Sequence, residues 1–566
     1  TSTYTSVQDN FNIDWRIIPA LRLQGRFSYT RQFDRRDLFK SPESLDYSTE
    51  TDPKKKGSYY LVNSRSDRFD GNLTLAYNKT IDKHMLNVGV GSNIMQSETE
   101  GESFTGVGFI NPDMIFIGAA NAFQENTSPQ GTYDKSRLVG FFTNVNYGYG
   151  NRYFLDFSFR SDGSSKFGRN SRFAPFWSLG VAWNVHNESF WHAHEKNALK
   201  LRASVGSTGT TNFSSTQALT TYLYDFSREY NGNFGVSLAG YGNSSLKWQT
   251  TLAYNVGVDF TFLHGLVVFN GDFYIKNTRS LLLPVTVAPS TGFIDYVENI
   301  GKLRNTGVEA RLRFNLIQDA VKDLRWNVTL SAFHNRSKIT QLSNQLETIN
   351  QYANDDRANQ GTVVYRQFEA GRSQTALMVV RSGGIDPATG NEIYIKRNGE
   401  MTFEYNHNDK IECGDMKPKI EGNVNTNLNW KGFNLYMLFK YQYGGKIYNA
   451  TLASKVEGAN PRKNADKRVL YDRWKEPGDH AKFRRIDDTS APYQTTRLVF
   501  DNNLLALQSV SLSYELPRKI SQKMYMERVK LLLSSTDLFR LSSVKQERGT
   551  SYPFARTFSI GLNVTF

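Results

Sequence analysis

Side chains able to do chemistry are few in this sequence and scattered along it. His186, His192 and His194 form the densest cluster among eight histidines. A His-x-His pair on a strand places both rings on one face and suits a transition metal. Here the histidines bracket Asn187–Trp191, with only Glu188 and Glu195 as nearby acids, so a solvated turn is expected and no metal. The acidic pairs Asp355–Asp356 and Asp487–Asp488 are adjacent in sequence, so their carboxylates diverge on an extended chain. They do not make a glycosidase dyad. Phosphate-cradling loops, HExxH and a GxSxG serine in triad context are missing from the sequence. The lone thiol, Cys413, excludes an internal disulfide scaffold and a cysteine zinc site. No catalytic residue, no cofactor and no enzyme activity is expected. The formal charge of +14 and the run Lys54–Lys55–Lys56 raise nucleic-acid binding. Binders of that kind concentrate charge on one face of a compact module, whereas here Lys and Arg are spread along the chain. Aromatic side chains are the better candidates for ligand contact. Tyr222, Tyr224, Tyr230 and Phe234, with Phe213, Phe226 and Tyr241, crowd residues 209–245. Their faces can stack on sugar rings or grip peptide side chains at low rotamer cost; packing of a long loop against its neighbours is the competing explanation.

Something must position those groups, and its pattern is clear. Phe558, Ile560, Leu562, Val564 and Phe566 alternate with Ser559, Gly561, Asn563 and Thr565. Val424, Thr426, Leu428 and Trp430 interleave with Asn423, Asn425, Asn427 and Asn429. Leu252–Phe260 and Val308–Leu316 alternate in the same way. Successive strand residues point to opposite faces, so each segment has an oily and a wet side. With 38 Phe, 30 Tyr and 8 Trp, and no run of about 18 apolar residues, the chain reads as all-β without a membrane helix. The wet side carries Asn, Asp, Arg, Gln and Ser, as a water-filled lumen requires. Trp248, Trp326, Trp430 and Tyr153 fit the aromatic girdles at the membrane interfaces.

Connections alternate between short and long. Short turns fall near Pro19, 81–83, 150–151, 263–265, 318–323 and 431–432, and somewhat longer ones near 185–198 and 517–526. Long polar stretches cover 35–63, 98–135, 162–172, 209–245, 282–299, 338–416, 446–498 and 542–555. Transmembrane barrels have short periplasmic turns and longer extracellular loops. Read that way, nine strands descend: 10–18, 63–79, 136–149, 173–185, 246–262, 299–317, 417–430, 499–516 and 556–566. Eight ascend: 20–34, 84–98, 152–162, 199–210, 265–281, 324–338, 433–447 and 527–541. The expected fold is an antiparallel transmembrane β-barrel with about 17 strands in this chain. An odd number cannot close by pairing first strand to last. Either one strand is miscounted or the chain is part of a barrel. The second is preferred, with residues 1–9 entering from the external side and about five more strands completing 22. External basic residues then meet lipid and lipopolysaccharide rather than nucleic acid, or simply solvate loops and lumen.

Several segments carry a family resemblance. RSGGIDPATGNEIYI (381–395), the run from Cys413 to Asn449, LKWQTTLAYNVGVDFTF (246–262) and FYIKNTRSLLL (273–283) resemble the SusC/RagA family of TonB-dependent transporters. So do YFLDFSFRSDGSSKFG (153–168), KRVLYDRWKEPGD (467–479) and YPFARTFSIGLNVTF (552–566). The resemblance implies import of oligosaccharides or peptides across the outer membrane of a Bacteroidetes bacterium. It also implies a SusD-like surface lipoprotein as lid, and TonB pulling on a plug held within the barrel. The terminal Phe566 resembles the signal read by the barrel insertion machinery. Residues 1–566 match only the C-terminal part of such a transporter; the plug and N-terminal domains are not recognisable and belong to an N-terminal remainder. Where relatives carry an acidic cation-holding loop, Lys396, Arg397 and Glu400 interrupt it, so no calcium site is expected. A passive porin, or a soluble β-rich adhesin or enzyme, is the alternative.

Overall fold

A computed structural model describes residues 2–125, 127, 129–168, 171–192, 196–210, 218–240, 242–286, 295–299, 301–342, 350, 368–460, 466–488, 490–544 and 556–566. Seventeen long strands run through it: β1 (Ser2–Ile18), β2 (Leu21–Lys40), β3 (Ser58–Ile81), β4 (His84–Val107), β5 (Gln130–Tyr149), β6 (Tyr153–Ser164), β7 (Phe173–Asn184), β8 (Ala198–Thr210) and β9 (Gln249–Phe262). They continue as β10 (Val267–Arg279), β11 (Lys302–Asp319), β12 (Leu324–Gln341), β13 (Ile420–Trp430), β14 (Phe433–Tyr443), β15 (Leu504–Glu515), β16 (Arg528–Ser542) and β17 (Phe558–Thr565). With the two-residue strand Ala122–Phe123 they form an antiparallel sheet of eighteen strands. Each of the seventeen strands expected from alternation is present. No helix among the described residues is long and apolar enough to cross a membrane.

The first strands are longer than expected. Residues 2–9 form no entering tail; they pair in register with β2, from Ser2↔Arg36 to Asp9↔Tyr29. Hydrophobic alternation fades there because that part of the ladder meets water on both faces, leaving no oily face for the sequence to mark.

Contact density divides the chain into two units, residues 1–181, 206–250 and 282–299, and the remainder. In the first, β1 to β6 each pair antiparallel with the next. One face is apolar: Trp15↔Leu23↔Leu75↔Val90 make a continuous cross-strand row. Most of these side chains are freely exposed, Trp15 at 59%. Further along the same face Tyr29 and Phe69 form an aromatic border. Beyond it the face turns ionic, with Arg31 Nε 2.6 Å from Asp67 Oδ1 and Lys135 Nζ 2.7 Å from Glu98 Oε2. Exposed apolar area ending at aromatics and then charge is the profile of a wall leaving a bilayer.

In the second unit β10 to β17 pair in sequence. Trp326↔Leu428↔Leu435↔Leu512↔Leu533↔Ile560 make one apolar row. Trp430, Phe433 and Tyr514 make the next, with the last two rings stacked at 4.2 Å. Ile560 and Leu562 are 79% and 64% exposed, so they face no dry protein core. The turn beside Trp430 is Lys431–Gly432 at φ 45° and 85°. Two positive φ values make the tight hairpin that matches strand twist, and glycine carries the second at no steric cost.

One girdle expectation fails. Trp326, Trp430 and Tyr153 are exposed at short-turn ends, but Trp248 is buried. It stacks on Phe167 at 4.6 Å, meets Phe176 edge-on at 5.3 Å and donates Nε1–H to Arg172 O at 3.1 Å. With Leu246 these residues form a small core under the long connections of the first unit, where neighbouring loops exclude water.

Candidate functional site in the external loops and polar wall

The described part of the aromatic stretch contains a hairpin. Residues Thr221–Tyr230 pair with Asn233–Gly240 around Asn231–Gly232, at φ 50° and 74°. The Asn-Gly dipeptide between strand-forming residues was the available signal for it. Tyr222 is 64% exposed. Tyr224, Tyr230 and Phe234 share the hairpin backbone, Tyr224 opposite Val236; their side chains, and residues 213 and 241, lie outside the described set. His186 turns its Nδ1 to Leu199 O (2.9 Å) and His192 to Phe190 O (2.8 Å), each a local backbone anchor. His194 and the pair 355–356 lie outside the described residues.

The described parts of the long stretches 338–416 and 446–498, expected as separate loops, fold together. Strands Ala376–Ile385, Glu392–Ile395, Met401–Thr402 and Lys410–Asp415 build a four-stranded sheet. Residues from the second stretch dock on it: Val380 N–H donates to Gln494 O at 3.3 Å, and Ser382 N–H to Thr496 Oγ1 at 3.0 Å. Leu377, Tyr448, Ala453 and Leu498 form the shared core. Two of the family-like segments meet here. Trp474 donates Nε1–H to Pro387 O (2.8 Å), and Gly478 N–H reaches the same carbonyl (2.8 Å). Gly390, at φ 73°, lies under the Trp474 ring, and an added Cβ would come within 2.6 Å of it. Tyr405 and Tyr493, one from each stretch, stack at 4.1 Å.

Beneath lies a charged network that sequence reasoning missed. Glu457, fully buried, accepts from Arg484 Nε (2.8 Å) and Arg497 Nη1 (2.9 Å). Glu392 accepts from Thr495 Oγ1 (2.6 Å) and from Arg497 Nε (3.2 Å) and Nη2 (3.0 Å). Arg473 is capped by carbonyls, Arg484 O at 3.1 Å and Glu457 O at 3.2 Å among them. Burial pushes the Glu457 carboxyl up, but the two guanidiniums pull harder and hold it below the usual range. Burial lowers Arg497, and its two carboxylates raise it further, so it stays charged. Each charge gains only because its partners are fixed and desolvated with it. The pair 487–488 belongs to this scaffold: Asp487 accepts from Arg485 Nε (2.6 Å), and Asp488 from Arg484 Nη1 (2.6 Å). Those partners are salt-bridging arginines. In the interrupted acidic loop Lys396 Nζ pairs with Glu400 Oε2 at 3.2 Å.

The polar face of the wall supplies hydrogen-bonding groups at strand spacing. In the second unit Asn315, Asn327 and Asn427 lie in one row, and Asn434 Nδ2–H donates to Asn427 Oδ1 at 2.8 Å. Arg202 bridges two carboxylates, Asp259 at 2.8 Å and Asp272 at 3.2 Å. Gly257 makes room for it; a Cβ there would fall 2.5 Å from Asp272 Oδ1.

Residues 1–402 match the family model described as TonB dependent receptor-like, beta-barrel. The chain belongs to that family. TonB-dependent receptor P3 of Formosa agariphila is 26% identical, over 87% of this chain and 52% of its own length. TonB-dependent receptor SusC of Bacteroides thetaiotaomicron is 27% identical, over 57% of this chain and 33% of its own. The solved RagAB peptide transporter covers all of this chain and 62% of its own, at a TM-score of 0.85 and 21% identity, which establishes the fold. The resemblance read in the SusC/RagA segments is thereby borne out. As a TonB-dependent receptor barrel the chain resides in the bacterial outer membrane, in a family of receptors and transporters. It spans about half the length of the Formosa relative.

Proposed function

We propose that this chain is the C-terminal part of the wall of a SusC-like, TonB-dependent importer of oligosaccharides or peptides. It supplies the conduit and the external docking platform. A SusD-like surface lipoprotein closes over the long loops, an N-terminal remainder brings the plug on which TonB acts, and lipid with lipopolysaccharide surrounds the outer face. The observation that carries this is the pinning of stretches 376–415 and 446–501 into one body by Glu392, Glu457 and Arg497, on the long-connection side of the wall. A fixed external body suits binding a partner. A loop folded into the lumen as a constriction would instead suit a passive pore. The match to a peptide transporter and the similarity to SusC leave cargo open between peptide and glycan. Tyr222, Tyr224, Tyr230 and Phe234 are proposed to touch cargo or lid.

The test uses the complete transporter extracted in detergent from its own cells. A surface lipoprotein is expected to copurify, with peptide or oligosaccharide identifiable by mass spectrometry. In liposome swelling the complete protein is expected to exclude small sugars; free leakage would establish a passive pore instead.

A further inference from the structure

Arginines on the polar face of the second unit fall into two kinds. Arg202 is neutralised by Asp259 and Asp272, and Arg528 by Glu515. Arg311, Arg313 and Arg325, on adjacent strands β11 and β12, make no ion pair with any described carboxylate. Arg313 and Arg325 border one hollow of about 420 Å³, together with Asn315, Asn327 and Gln318 and the apolar Ile317, Ala320 and Trp326, and among the described residues no acidic side chain lines it. Asp319 in the adjoining turn is held by Lys322 Nζ (3.5 Å) and by the N–H groups of Val321 and Lys322 (3.0 Å each).

The hollow has a local cause. Register shifts between Asn315 and Ile317, a β-bulge at Leu316. An extra residue there returns Ile317 to the apolar face opposite Trp326 and sets Gln318 opposite Arg325 on the polar one. Bulges bend a strand and re-aim its side chains; this one leaves two guanidiniums around a space lined by three carboxamides and by Ile317, Ala320 and Trp326. A concavity lined by one sign of charge concentrates counter-ions, and a planar guanidinium matches a two-oxygen anion.

We propose that Arg313 and Arg325 form an anion site beside the short turn Asp319–Leu324, and that its ligand is a carboxylate or sulfate group carried by the cargo. This rests on the import function proposed above and narrows its cargo to anionic oligomers, met at the periplasmic end of the path. The proton inventory is simple: both guanidiniums stay charged and the anion arrives ionised.

The experiment is arginine footprinting with phenylglyoxal on the complete purified transporter, read by peptide mass spectrometry. The probes are inorganic sulfate and trigalacturonate, with galactotriose as neutral control. Arg313 and Arg325 are expected to react without probe, and to react severalfold more slowly with trigalacturonate or sulfate but not with galactotriose. Arg202 should stay protected throughout. The double substitution R313Q/R325Q should weaken trigalacturonate binding by roughly tenfold while leaving heat stability unchanged. Reaction at the two arginines that neither anion slows would overturn the site. So would their shielding before any probe is added, which would mean that carboxylates of the transporter itself hold them. No uptake is measured, so failure here leaves the import proposal to its own test.

Discussion

Lys410 lies in the four-stranded loop sheet at 2% exposure, and burial lowers its ammonium to about pH 8 from an ordinary value of 10.5. Below the folded value both states carry the proton, and the cost of burying the charge is fully present. Between about 8 and 10.5 the unfolded state binds more protons than the folded one, so stability rises with pH there. The external body is therefore expected to resist proteolysis better at pH 10 than at pH 7.5. Lys410→Met should remove that pH dependence and raise resistance at the lower pH. A pH-independent wild type would show that the buried amine keeps its ordinary affinity for protons. Cys413 nearby is the opposite case: burial pushes its thiol up to about 11, and it donates to Leu377 O at 3.2 Å. A neutral, anchored thiol is structural rather than reactive.

Among elements, the fastening of the two long stretches has a measurable cost of failure. Glu457→Gln keeps the shape but leaves Arg484 and Arg497 without one counter-charge in a dry place. Removing one partner of a buried pair costs about 3–5 kcal/mol. Protease is expected to cut 446–498 in that variant while β13 to β16 stay intact, as limited digestion would report. Equal resistance of variant and wild type would mean that the apolar core around Leu377 and Leu498 holds the loops without the charges. Neither stretch could have been joined to the other by inspection. Glu392 and Arg497 are 105 residues apart, and isolated Glu and Arg in a polar loop read as solvated until the neighbours that exclude water are known.

For the whole molecule, the decisive contrast is between the two faces of each strand. Leu435 sits mid-row on the apolar face, and Asn427 on the polar one. Leu435→Arg, one row inside the Trp430–Phe433 girdle, should destabilise the barrel by about 1 kcal/mol, seen as a lower temperature for loss of heat-resistant mobility on gels. Asn427→Arg should change it little. Comparable losses at both positions would contradict lipid on one side and water on the other. That contrast also separates the outer-membrane wall from a soluble sandwich, in which both inward faces would be dry.

Alternation alone was enough to place seventeen strands, their short turns and the oily face, because strand geometry repeats every two residues and lipid demands that the repeat be kept. The dipeptide Asn231–Gly232 held the external hairpin in plain view, and the family-like segments around Asp386 and Trp474 were legible as motifs. Tertiary structure alone decided why those motifs meet, why Trp248 leaves the girdle for a core, and how far β1 to β5 extend beyond the aromatic border. It also decided which arginines are neutralised. Each of these depends on residues brought together across long stretches of chain, where burial, not local pattern, sets the outcome.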